Sequence, residues 1–129
     1  MPDKLPGFKY ISLETFRKNG TGVRTPVWFV EKDNAIYVRT LEDSWKIKRI
    51  KATRRARVAP CDFNGRELGE WFEVNAEIIP FDLNRQIAPL FRAKYGISAV
   101  MTSLLATLRR KRYVYLRLEA KGSANTSLT

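Results

Sequence analysis

The sequence predicts an α+β barrel in a single domain, and three observations carry that expectation. Runs of period-two alternation recur from Tyr10 to Ile79. One short basic helix interrupts them after the third run, and past Pro80 the period turns helical before a last alternating run returns. A barrel also disposes of sheet edges that an open meander of this length would expose.

Tyr10–Phe16 reads as the first strand, and Lys18-Asn19-Gly20-Thr21-Gly22 is turn chemistry, because Asn and Gly tolerate positive φ. Val23–Val30 follows as a continuous second strand, completing a hairpin. Val23, Thr25, Val27 and Phe29 share one face; Arg24, Pro26, Trp28 and Val30 share the other. Pro26 cannot donate to a ladder, so it marks a bulge, a bend or a local edge. After a turn over Glu31–Asn34 comes a third strand, Ala35–Thr40.

The stretch from Arg39 to Arg57 holds eight Lys or Arg residues and only two acids, Glu42 and Asp43. Asp43 and Ser44 can each cap a helix that ends near Ala52 or Thr53. The free N–H groups and dipole of a helix start attract anions, and Lys46, Lys48, Arg49 and Lys51 follow within two turns. The stretch reads as a cradle for a phosphate monoester. The competing reading is a solvated amphipathic helix with Ile47 and Ile50 on its buried face.

Arg57–Cys61 is expected as the fourth strand, with a turn at Phe63-Asn64-Gly65. Trp71–Ile79 should be a strand with Phe72, Val74, Ala76 and Ile78 on one face and Glu73, Asn75 and Glu77 on the other. Asp82 is placed to cap a helix reaching Tyr95, with Ile87, Leu90, Phe91 and Lys94 on one face, and Gly96 ends it. Ser98–Leu108 forms a second helix on which Val100, Leu104 and Leu108 align, closed by the basic cluster Arg109–Arg112. That cluster is either a solvated helix end or a contact for an acidic ligand or nucleic acid. In the final strand Val114, Leu116 and Leu118 alternate with Tyr113, Tyr115 and Arg117; the two tyrosines are expected at a dimer contact or a sheet edge. The single domain spans 1–129, with a lead-in (1–9) and a tail (121–129) expected to be flexible.

Composition removes several function classes. At 129 residues with 44% apolar and 12% aromatic content, the chain is expected to fold around its own core. It contains no histidine, so His-based triads and the commonest zinc sites are impossible within it; no metal site is expected. One cysteine, Cys61, excludes an internal disulfide framework and serves as a packing residue. No apolar run is long enough for a membrane span and no signal-peptide core is visible, so the default compartment is the cytoplasm. A net charge of +11 points to an anionic partner: nucleic acid, an acidic surface, or a multiply charged small molecule. Without catalytic side-chain motifs, any chemistry is expected to reside in a bound cofactor.

Five pieces, in order, resemble the pyridoxamine-phosphate-oxidase-like split-barrel flavoproteins, and within them the deazaflavin- or flavin-dependent oxidoreductases. They are TFRKNGTGVRTPVWF (Thr15–Phe29), AIYVRT (Ala35–Thr40), DSWKIKRI (Asp43–Ile50), VAPCDFNGRELG (Val58–Gly69) and KYG (Lys94–Gly96). The resemblance covers about Tyr10 to Glu119. It implies a six-stranded split β-barrel (the FMN-binding split barrel) with short flanking helices, a homodimer, and cofactor held in grooves between subunits. It also implies FMN or a deazaflavin (coenzyme F420) as cofactor, and hydride transfer to or from a small conjugated substrate. Thr40, Ser44 and Lys46 match the family's phosphate-binding residues, with Lys48 and Arg49 extending the basic surface. Thr25, Pro26, Val27 and Trp28 lie in the segment that would run along the cofactor ring; no residue is assigned a catalytic role. Trp45 stands where many relatives carry a small residue, and its ring could stack on the ligand, support the helix or block close approach. Two other classes compete with the oxidoreductase: a non-enzymatic flavin or deazaflavin carrier or sensor, and a basic nucleic-acid-binding protein.

Overall fold

The computed structural model describes residues 7–79 and 84–120. The elements run β1 (Tyr10–Phe16), β2 (Gly22–Val27), β3 (Phe29–Lys32), β4 (Ala35–Leu41), α1 (Trp45–Thr53), β5 (Arg55–Cys61), β6 (Phe72–Ile78), α2 (Asn84–Tyr95), α3 (Ile97–Leu108) and β7 (Tyr113–Ala120). The expected cap Asp82, the stop at Pro80, the tail, and residues 1–6 of the lead-in lie outside the described residues.

All seven strands form one antiparallel sheet in the order β2-β1-β5-β6-β7-β4-β3. The strand expected over Val23–Val30 is broken: β2 ends at Val27, β3 begins at Phe29, and the two occupy opposite edges of the sheet. Trp28 alone joins them. The sheet must therefore curl until its edges lie one residue apart at this corner, the geometry of a split barrel. Seven strands replace the expected six for this reason. Pro26 sits on the edge strand β2, where its missing N–H costs no ladder bond on the open side.

Alternation survives the break. Val27 and Phe29 point into the barrel with Ile11, Leu13, Ile36, Val38, Leu116 and Leu118, while Ile47 and Ile50 of α1 plug its interior. Val30, Tyr37 and Tyr115 point outward and meet Ile87 and Phe91 of α2 in a second core. Tyr115 is thus buried against Phe91, with ring centroids 5.4 Å apart, and β7 lies inside the sheet. The expectation that Tyr113 and Tyr115 mark a sheet edge is overturned, because β7 pairs with β6 on one side and β4 on the other.

The turns follow the residues that permit them. Asp33 and Asn34, at φ 52 and 63, link β3 to β4 in the two-residue hairpin that requires positive φ. Gly96, at φ 61, ends α2 and opens α3 without a gap. In α3 the aligned residues Val100, Leu104 and Leu108 face outward, 49%, 53% and 73% exposed, whereas Ala99 and Ala106 are buried. Small residues face inward because the helix backbone approaches the sheet closely; Ala99 O accepts from Arg39 Nη1 at 3.3 Å.

The corner at Trp28 is pinned by the end of α2. Phe29 N–H donates to Tyr95 Oη at 2.9 Å, and Lys94 Nζ donates to the Phe29 carbonyl at 2.9 Å. With that carbonyl taken, the single Tyr95 proton is available to the Lys9 carbonyl, 2.8 Å away. The Tyr95 ring stacks on Trp28 at 4.3 Å and 7°. Burial raises the Tyr95 phenol to about 12, so the hydroxyl stays protonated across the physiological range. Replacing Tyr95 by Phe orphans the Phe29 N–H and is expected to cost about 1–3 kcal/mol, read as a lower urea midpoint at unchanged slope. Burial lowers the Lys94 ammonium from 10.5 to about 8, only slightly opposed by Glu31. Between those values the unfolded chain binds the extra proton, so this residue's contribution to stability rises with pH, and the penalty is complete below about 8. The stability difference between wild type and Lys94→Met should grow in favour of wild type across that window; a flat difference removes the assignment.

Candidate functional site

Strand β4 delivers Thr40 and, after a turn closed by Ser44 N–H to Leu41 O at 3.1 Å, the start of α1. Ser44 is the N-cap, extended at φ −71 and ψ 156, and its Oγ accepts from Ile47 N–H at 3.4 Å. That bond is long, so the hydroxyl keeps capacity for a ligand. Thr40 Oγ1 lies 3.2 Å from Ser44 Oγ, which places two hydroxyls side by side at the positive end of the helix.

Asp43, the other expected cap, is instead paired with Lys111, whose ammonium holds its carboxyl below the usual range. Glu42 pairs with Arg112 at 3.2 Å. Two members of the Arg109–Arg112 cluster thus pair with the only acids of the basic stretch, although Asp43 also feels the Lys48 ammonium. All four residues of the cluster remain exposed at the helix end.

What remains at the helix start is positive. Lys46 is half-buried, and burial, then the neighbouring Arg49, push its ammonium below the ordinary lysine value. Burial, then Arg17, do the same to Arg49, whose Nε donates to the buried Thr15 hydroxyl at 2.6 Å. No carboxylate acts on either group among the described residues. Lys48 lies with its ammonium 4.2 Å from the Trp45 ring centroid. Trp45 is 68% exposed and so does not support the helix; it forms part of the wall of the cleft above.

Two clefts meet at this point. The larger, about 790 Å³, takes Thr25, Ser44, Lys46, Lys48 and Arg49 from the expected set. The smaller, about 380 Å³, takes Pro26, Val27, Trp28 and Thr40, again with Ser44 and Lys46. Every expected residue therefore lines one cleft or the other, and Ser44 and Lys46 line both. The expected single cradle is divided: Thr25, Lys48 and Arg49 stand on one side of the shared residues, Thr40 and Pro26–Trp28 on the other. Thr25 Oγ1 is buried and has no hydrogen-bond partner, a free polar group beside the larger cleft. Trp28 is held by Tyr95 on its ring and by the Arg39 guanidinium at 4.9 Å, so it is first a packing residue.

Sequence reasoning missed several lining residues. Arg17 and Lys18 add two cations to the larger cleft from the β1–β2 turn, and Tyr10 and Phe63 add an aromatic pair, 5.8 Å apart, to the smaller. Arg39 was visible only as one of many basic residues, yet a charge inside the apolar run of β4 is the signal that separates it from the rest. Cys61 is buried, and burial, with Asp62 and Glu67, raises its thiol to about 11, so it packs rather than reacts.

Paired hydroxyls, an open helix start, unneutralised cations and an unpartnered hydroxyl fit an anionic, phosphate-bearing cofactor such as FMN or a deazaflavin. No group of His, Cys, Asp and Glu among the described residues could hold a metal ion. No helix there is long and apolar enough to cross a membrane.

No protein-family model and no curated protein matches the sequence. Solved structures do match. The haem storage protein HutZ from Vibrio cholerae superposes with TM-score 0.72 at 13% identity, covering 93% of this chain and 87% of that one. A protein of the pyridoxinephosphate oxidase family from Clostridium acetobutylicum, related to a general stress protein, gives 0.67 at 14%, covering 93% and 80%. An FAD-binding protein from Mesorhizobium loti gives 0.64 at 16%, covering 93% and 84%. Against two further matched structures the chain spans only 49% and 51% of their length. The antiparallel sheet curled at Trp28, the helix plugging it and the helical pair before the last strand are the split-barrel fold of the pyridoxamine-phosphate-oxidase-like proteins.

Proposed function

We propose that this protein is an oxidoreductase that binds FMN or a deazaflavin (coenzyme F420) and transfers hydride to or from a small conjugated substrate. The observation that carries the reading is the half-buried pair Lys46 and Arg49, whose charged neighbours are only cations. Burying such charges without a partner costs stability, and an anionic ligand offsets that cost. Ser44, Thr40 and the free N–H groups of α1 would hold a phosphate, with Lys46 closing over it. The cofactor supplies the hydride chemistry; the protein's residues position it, exclude water and set the local field. Five cations, Arg17, Lys18, Lys46, Lys48 and Arg49, line the larger cleft. That exceeds what one phosphate requires and favours the more highly charged deazaflavin over FMN.

The exposed apolar face of α3, with Ile97, Met101 and Leu105 beside Val100, Leu104 and Leu108, supports a homodimer. Nucleic acid is the weaker alternative, because the cations converge on one helix start rather than forming a long track. A carrier without turnover would use the same site.

Titration of the purified protein with FMN and with F420 should shift the absorbance spectrum of at least one of them, and the shift should persist at physiological salt. Tight oligonucleotide binding at high salt with no spectral response to either cofactor removes the oxidoreductase reading. Lys46→Met should weaken cofactor binding by about 1.5–3 kcal/mol while raising the urea midpoint of the free protein, since a desolvated charge is lost. Unchanged affinity would take the phosphate away from this helix. Sedimentation should give a dimer at micromolar concentration, and Leu104→Asp a monomer; a monomeric wild type excludes the composite site.

A further inference from the structure

Among the described residues Arg39 is the one buried guanidinium, and it has no carboxylate partner there. It is 8% exposed, projects from the outer face of β4, and lines the smaller cleft. Its guanidinium carbon lies 4.2 Å from the Tyr113 ring centroid and 4.9 Å from that of Trp28. Its hydrogen-bond partners are neutral: Ser103 Oγ at 3.0 Å, Ala99 O at 3.3 Å and Thr102 Oγ1 at 2.5 Å. These use three of its five N–H groups. Tyr113, Tyr115 and Tyr95 are the titratable groups acting on it, and they only partly offset the burial that lowers its pKa. Ring faces and hydroxyls stabilise a cation without cancelling its charge, so Arg39 remains a buried positive charge in the wall of the smaller cleft.

We infer that Arg39 is the positioning cation that sets the redox potential of the cofactor ring, by favouring negative charge in the smaller cleft. The inference rests on the cofactor reading above. Hydride delivery, two electrons with one proton, adds one unit of negative charge to the ring. A fixed cation beside the ring stabilises that product more than the reactant, with no reorganisation needed at the moment of transfer. Lys46 acts instead on the phosphate, whose charge is the same before and after.

The test is the midpoint potential of bound FMN, or of F420 if FMN does not bind, by equilibration with a reference dye. Arg39→Gln should lower the ratio of reduced to oxidised cofactor at a fixed ambient potential at least tenfold, a shift of about 30 mV for a two-electron couple. Arg39→Lys should stay near wild type, and so should Thr102→Val, which loosens α3 but keeps the charge. A folded Arg39→Gln protein with the wild-type potential overturns the inference and leaves cofactor binding intact. If Arg39→Gln does not fold, wild type alone decides: it should bind reduced cofactor at least tenfold more tightly than oxidised, and equal affinity overturns the inference. A wild type that binds neither cofactor sinks both this inference and the reading beneath it.

Discussion

The architecture depends on holding Phe29 against the end of α2. Consecutive strands occupy opposite edges of one sheet, so the barrel keeps its shape only while that corner stays bent. Backbone geometry alone does not enforce the bend, since Trp28 and Phe29 are ordinary strand formers. Lys94 and Tyr95 enforce it by taking both the N–H and the carbonyl of Phe29, with Trp28 stacked beside them. The smaller cleft opens at this corner, because Pro26, Val27 and Trp28 form part of its wall. The bond that shapes the fold therefore also shapes the site.

Charge is sorted across the molecule rather than balanced locally. Glu14, nearly buried, accepts from Arg24 at 2.9 Å and Arg57 at 2.6 Å, and both arginines also lie over the Trp71 ring. Burial would raise its carboxyl, but the hydrogen bonds and charges of the two arginines together outweigh it, and its pKa falls. Asp43 and Glu42 are engaged by Lys111 and Arg112. Lys46 and Arg49 are left with cations as their only charged neighbours among the described residues. Groups left unneutralised at a site lower the stability of the empty protein in exchange for affinity, a trade common where ligands bind.

Much of this was legible in the sequence. Strict alternation located β1, β4, β6 and β7 within a residue or two, and Ser44 before a basic, Ile-containing run located the start of α1. The break at Trp28 was not legible, because Val23–Val30 alternates without interruption; its cause, the Lys94–Tyr95 clamp, lies sixty-six residues away in sequence. The spacing that aligned Val100, Leu104 and Leu108 on α3 did not say whether that stripe was covered. Helical spacing reports which residues share a face, not which face a neighbour covers. Alanines facing inward gave a weaker hydrophobic signal than the leucines facing out. Arg39 hid for the opposite reason: among so many basic residues, composition could not mark the single buried one.

The curled sheet also bears on how the chain avoids sticking to copies of itself along its edges. A seven-stranded open sheet would present two rows of unpaired N–H and C=O groups, each a template for cross-chain strand addition. Here the two edge strands converge at Trp28, one of them only four residues long and the other carrying Pro26, which offers no donor. Neither supplies the long, regular ladder that fibril growth requires. The same bend that builds a cleft thus spares the protein a self-templating surface.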